Sequence, residues 1–174
     1  MRFSRRALCA LGVMAASTAE TISSRHVFQH VWPGVWQLSR RIVSPSQPDV
    51  FAEGYASFRP SIDDPNTLLY SEKVSLAGGG EGTQRYSYRL EDGQLAKYFQ
   101  DGRLFYQLST ENGQICAVPH LCIADLYVPE YTFESDLSFR LKYVVSGPAK
   151  QYSIISHFTK AATSDHSLAV SSDE

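Results

Sequence analysis

Chemistry in this 174-residue chain would have to come from a small set of side chains. His120 and Cys122 are two residues apart and share one face of an extended strand, with Asp125 and Tyr127 on the other face unless a bulge intervenes. A histidine or carboxylate lining a cavity can take a proton from a bound molecule, so His120 and Asp125 are the candidate bases for an isomerase or cyclase reaction. A nucleophilic Cys122 beside His120 would need a lowered thiol pKa and oxyanion donors, and neither is evident. Zinc would need further ligands at suitable spacing, so no metal site and no cofactor are expected. The plain alternative is a histidine and an aspartate satisfied within a structural hydrogen-bond network.

The basic residues suggest binding more than catalysis. Arg40 shares a strand face with Trp36, Arg85 precedes Tyr86 and Tyr88, Arg103 follows a tight turn, and Lys150 and Tyr152 begin the last strand. An exposed strand face would account for most of them, but an inward lysine loses water and must meet an acid or a ligand. Arginine presents a planar fork that suits carboxylate or phosphate. The expected ligand is therefore a small apolar or aromatic molecule bearing an acidic group. Arg40, Arg85 and Lys150 would face the anion, His120 and Tyr127 would be polar anchors, Trp36 the floor, and Tyr88, Arg103 and Tyr152 further lining. Besides the enzyme, a protein-interaction module with a filled interior is the other alternative.

The elements that would position these residues are strands. In Gln84 to Leu108, three alternating patterns are separated by Asp92-Gly93 and Asp101-Gly102, turn signals whose twist matches antiparallel pairs. Further strands are expected over Val35–Ile42, Val50–Phe58, Thr67–Leu76, Gln114–Ala124, Leu126–Phe133, Phe139–Val145 and Lys150–Phe158. About ten strands at this spacing imply an all-β antiparallel barrel or sandwich. A short helix is expected over Ser24–Val31, capped by Ser23 or Ser24 and ended by Trp32-Pro33-Gly34. The run Gly78 to Gly82 lacks the Lys-Ser/Thr ending and following helix of a phosphate loop.

Composition sets the bounds. A hydrophobic share of 43% and a net charge of -2 suit one soluble domain and argue against a nucleic-acid binder. Residues 1–19 carry Arg2, Arg5 and Arg6 and no acid, as a mitochondrial targeting segment does; the apolar run Ala7 to Ala16 makes secretion the alternative, with a cytoplasmic location the other. The segment is too short to be an integral membrane span. Cys116 and Cys122 are too far apart along an extended strand to bond, which favours a reducing compartment. The barrel domain is expected over residues 20–160, with a disordered polar tail over 161–174.

A set of longer motifs narrows this reading. PGVWQLSRRI, EGYASFRP, QRYSYRL, FQDGRLFY, HLCIADLY and VVSGPAKQY together resemble the domain-of-unknown-function 6314 family. The chain departs from that family's pattern at Tyr106 and Gln151. The resemblance implies one calycin-like, lipocalin-like β-barrel and brings no established activity. In calycin barrels the tryptophan of Gly-x-Trp, here Trp36 after Gly34, closes one end and packs against a basic residue near the last strand. The Lys150 region is the expected source of that partner.

Overall fold

The computed structural model describes residues 22–111, 114–122 and 124–162. The expected targeting segment, Cys9, the side chain of Cys116 and the tail beyond residue 162 lie outside the described residues. A short α1 (Ser24–His26) runs into a π-helical turn (Val27–Val31) and is followed by eleven strands. These are β1 (Gly34–Ser44), β2 (Gln47–Pro60), β3 (Thr67–Leu76), β4 (Glu81–Glu91), β5 (Gln94–Tyr98), β6 (Leu104–Glu111), β7 (Gln114–Ala117), β8 (His120–Cys122), β9 (Asp125–Ser135), β10 (Ser138–Ser146) and β11 (Gln151–Lys160).

Local chemistry sets most of these boundaries. Ser23 caps α1, its hydroxyl accepting from the His26 amide at 3.1 Å. Asp92 and Gly93 both take positive φ, 49° and 79°, which gives the β4–β5 turn the twist its strands need. All neighbouring strands pair antiparallel from β10 through β11, β1 and β2 round to β9, and β9 pairs with β10 again, so the sheet closes into a barrel.

The stretch expected as one strand over Gln114–Ala124 is two, interrupted at Val118-Pro119. Cys116 faces Glu130 on β9, whereas His120 faces Tyr127. Four steps on one strand thus oppose three on the other. This one-residue bulge exchanges the faces beyond it. The chain then reverses between Cys122 and Asp125, so His120 and Tyr127 are cross-strand partners on one face. The expected opposition of the two faces is corrected by that reversal.

One end of the barrel is plugged. Val27, Phe28, Val31 and Trp32 are buried, and Trp32 stacks on Phe58 with centroids 5.2 Å apart. Trp36 sets its ring edge against Phe139 and donates from Nε1 to the Trp32 carbonyl at 2.9 Å. The basic partner of Trp36 is Lys160, with Nζ 4.5 Å from the ring centroid, and not the Lys150 region. Antiparallel pairing of β1 with β11 puts Lys160 opposite Trp36 and places Lys150 at the far end. Lys160 also donates to the carbonyls of Val31 and Pro33, both at 2.6 Å. Ala161, expected to begin the tail, is buried and bonds to the Val35 carbonyl.

The inner face of β2 is Ala52, Gly54 and Ala56, and at Gly54 the neighbouring strand comes very close. A Cβ there would lie 2.0 Å from the Lys73 carbonyl oxygen and 2.8 Å from the Val74 Cα. Because those atoms are backbone, Gly54→Ala should destabilise the fold by about 3 kcal/mol, near the upper end of overpacking costs. Gly82→Ala, whose Cβ first meets a Val74 methyl at 3.4 Å, should stay within about 0.5 kcal/mol. Urea denaturation of both variants checks the contrast; equal midpoints would contradict it.

Candidate functional site

Inside the barrel, β1 contributes Arg40 and β3 contributes Glu72, and β2 lies between them. Arg40 reaches across the small residues of β2 and grips Glu72 with both terminal nitrogens, at 2.6 and 2.8 Å. Its Nε donates to Ser156 at 2.9 Å, and Tyr70 donates its hydroxyl to the same carboxylate. Bulkier side chains at Ala52 or Ala56 would crowd this crossing. Burial works to lower the Arg40 pKa, but the hydrogen bond and charge of Glu72 outweigh it and the net direction is upward.

Beside this pair sits Lys97 of β5, only 3% exposed. Six rings surround its ammonium: Tyr86 at 3.8 Å from ring centroid to Nζ, then Tyr88, Phe105, Tyr106, Tyr70 and Tyr143 between 5.3 and 5.7 Å. Its Nζ donates to the Tyr143 hydroxyl at 3.1 Å. From there the hydroxyls form a chain, Tyr143 to Tyr106 at 2.7 Å, Tyr106 to Tyr131 at 2.7 Å and Tyr131 to Tyr88 at 3.2 Å. Burial pulls the Lys97 amine down to about 7, against the pull of Glu72 and with the help of Arg40. The same burial raises the phenols, with Tyr131 reaching about 12.

The open end carries another cluster. Phe105 stacks on Phe99 at 4.6 Å and on Tyr86 at 5.8 Å, and His120 stands edge-on to Phe105 at 4.9 Å. Tyr127, opposite His120, is hydrogen-bonded to Tyr152, and Lys150 donates to Asp125 at 2.6 Å. Desolvation lowers the His120 pKa below its ordinary range. The fold therefore brings His120, Asp125, Tyr127, Lys150 and Tyr152 together at one rim. It does not bring Arg40, Arg85 and Lys150 to one point. Arg40 lies inside on Glu72, Arg85 is exposed on β4, and Lys150 keeps 48% of its side chain in solvent. Trp36 and Tyr88 are core, and Arg103 pairs with Asp101 at 2.7 Å and lies over the Phe99 ring.

Among the described residues, two surface concavities stand out. A wide one of about 990 Å³ spreads over the outer face of β11, β1, β2, β3 and β4 and is lined by Gln, Ser and Thr together with charged residues such as Glu53, Arg59 and Lys73, and by Tyr55. A smaller one of about 380 Å³ at the open end combines Tyr86 and Phe99 with Arg85 and Arg103. The smaller one has the chemistry of a recognition site, because it joins two aromatic rings to two guanidinium groups, with Asp101 in the same lining holding that of Arg103. Among the described residues no helix is long and apolar enough to cross a membrane, and no His, Cys, Asp and Glu group is placed to hold a metal ion.

Sequence reasoning missed Glu72, Lys97, Phe99 and Phe105. A signal existed for the first two: Glu72 alternates with Tyr70 and Val74, and Lys97 with Leu95 and Phe99, so each stands at a core position.

The profile of the family of unknown function DUF6314 matches residues 32–160. The chain belongs to the domain-of-unknown-function 6314 family. No curated protein matches the sequence. Among solved structures, the S-type phycobiliprotein lyase CPES from Guillardia theta is similar, with a TM-score of 0.66 at 9% identity over 82% of this chain and 94% of that one. The redesigned β-barrel mFAP0 bound to DFHBI gives 0.45 at 13% over 75% and 99%, and a de novo designed fluorescence-activating β-barrel gives 0.44 at 13% over 78% and 97%. The lyase likeness establishes for this DUF6314 chain the barrel fold.

The buried charges make two predictions for this DUF6314 barrel. Glu72→Ala leaves the Arg40 guanidinium buried without its carboxylate and should cost about 3–5 kcal/mol, while Arg40→Met with Glu72→Met together should recover most of that loss. Urea denaturation of the three proteins measures it. Lys97 titrates at about 7 when folded, against roughly 10.4 unfolded. Below pH 7 both states hold the proton and the folded state bears the cost of a buried charge. From pH 7 upward the folded amine loses its proton first, so stability rises with pH. Above about pH 10 the unfolded phenols ionise while Tyr70, Tyr88, Tyr106 and Tyr143, raised by burial, do not, and stability falls. Lys97→Met should remove the rise and keep the fall in unfolding free energy measured against pH. A flat wild-type profile between pH 7 and 9 would contradict a desolvated amine.

Proposed function

We propose that the protein binds a small, flat, mainly apolar molecule carrying an acidic group at the open end of its barrel. What supports the reading is one juxtaposition: Tyr86 and Phe99 share a concavity of about 380 Å³ with Arg85 and Arg103. The flat part of the ligand would lie against the two rings, and its acid would meet the guanidinium groups of Arg85 and Arg103, competing with Asp101 for the second. His120 and Tyr127 stand next to this wall, around Phe105, and offer polar contacts to a larger ligand. Below the rim, Lys97, Glu72 and the tyrosines fill the interior, so the ligand would rest across the opening and not sink into the tube.

A fluorescence titration with 2-naphthoate and its uncharged counterpart 2-naphthalenemethanol tests both halves. Naphthoate should bind more tightly than the alcohol. Arg85→Ala with Arg103→Ala should weaken naphthoate by about tenfold, roughly 1.4 kcal/mol, and leave the alcohol little changed. Phe99→Ala should weaken both. Equal binding of acid and alcohol, or a double arginine variant that binds like the wild type, would overturn the proposal.

A further inference from the structure

We propose that Lys97 is a reactive amine that captures a small flat aldehyde in the space the Tyr86 ring vacates when it turns outward, and holds it there as an imine at the top of the filled interior. This goes beyond the acid-binding rim and does not rest on it, since neither Arg85 nor Arg103 takes part. The argument begins with what Lys97 lacks. Glu72 is engaged by both nitrogens of Arg40 and by Tyr70, and the Lys97 amine is bonded to a phenol. A lysine whose only task was to fill this space would be better replaced by methionine, which has no charge to desolvate.

Three features suit the amine to carbonyl chemistry. First, it is available as a nucleophile near neutral pH, because burial holds it at about 7, whereas Lys150 at the rim is pushed upward by Asp125. Second, it is one ring away from the outside. The half-buried Tyr86 touches Nζ with its ring face and also lines the open concavity of about 380 Å³, so a turn of that side chain connects the two. Third, the Tyr143 hydroxyl at 3.1 Å stands where a proton must move, and it leads into the hydroxyls of Tyr106, Tyr131 and Tyr88.

The step balances without any oxidant or reductant. The Lys97 lone pair attacks the aldehyde carbon, the carbonyl π pair moves to oxygen, and one proton passes from nitrogen to that oxygen to give the carbinolamine. Tyr143 then gives a proton to the carbinolamine hydroxyl, which leaves as water while the nitrogen lone pair forms the C=N bond. The remaining N–H proton returns to the tyrosine oxygen. One aldehyde and one amine give one imine and one water, and the ring walls favour a flat, conjugated product while holding bulk water away.

The test is reductive trapping of the full chain with benzaldehyde and cyanoborohydride at pH 7, read by intact mass and peptide mapping. Lys97 should be labelled at least tenfold faster than any other lysine in the native protein, and this preference should vanish in urea. The rate should reach half its maximum near pH 7, a midpoint that the ordinary surface lysines would not give. Tyr143→Phe should slow trapping at Lys97 while naphthoate affinity at the rim stays as in the wild type. Labelling confined to other lysines, or equal Lys97 rates in native and unfolded protein, would overturn the proposal. Naphthoate binding reads the rim alone, so failure of either idea is visible apart from the other.

Discussion

Lys97 is buried with a phenol as its hydrogen-bond partner, and much of the barrel interior is arranged around that fact. Moving an ammonium out of water costs several kcal/mol even after relaxation. The Tyr86 ring at 3.8 Å returns part of that cost, and the five rings at 5.3 to 5.7 Å return less. Loss of the proton relieves the rest, and this is why the amine titrates near neutrality. The six surrounding rings belong to β3, β4, β6 and β10, so the closed sheet itself is what assembles them.

The Arg40 and Glu72 pair belongs to the same electrostatic unit. It is neutral as a whole, yet its two charges act on Lys97 in opposite senses, the carboxylate favouring the proton and the guanidinium opposing it. The pair can form because β2 presents Ala52, Gly54 and Ala56 beneath it. A backbone requirement at Gly54 of β2 and an electrostatic one at Arg40 of β1 thus meet across one pair of neighbouring strands. The outer concavity over these strands is mostly polar and open, while the rim over Tyr86 and Phe99 gathers rings and arginines.

Much of the fold was legible because it was written locally. The strand expected over Thr67–Leu76 has those bounds, and Asp92-Gly93 turns the chain as its residue types demand. The site was less legible because its decisive relations are not local. The inward aim of His120 depends on one extra residue near Pro119, which defeats a strict alternation count. The partner of Arg40 is two strands away, and the partner of Trp36 is found only when β1 meets β11. Lys97 had a core position in its alternation, but a single lysine in a strand ordinarily reads as solvent-facing. The departure from the family pattern at Tyr106 proves to lie within the hydroxyl chain, bonded to both Tyr131 and Tyr143.

The pairing of β1 with β11 bears on how the molecule is made. Lys160 fastens the helical plug, through the carbonyls of Val31 and Pro33, and it ends the last strand among the described residues. During synthesis the early strands therefore leave the ribosome with one long edge unpaired and with Trp32 and Trp36 lacking their latch. Only when that lysine emerges can the seam be drawn shut, and until then the nascent barrel is an open sheet in need of shelter.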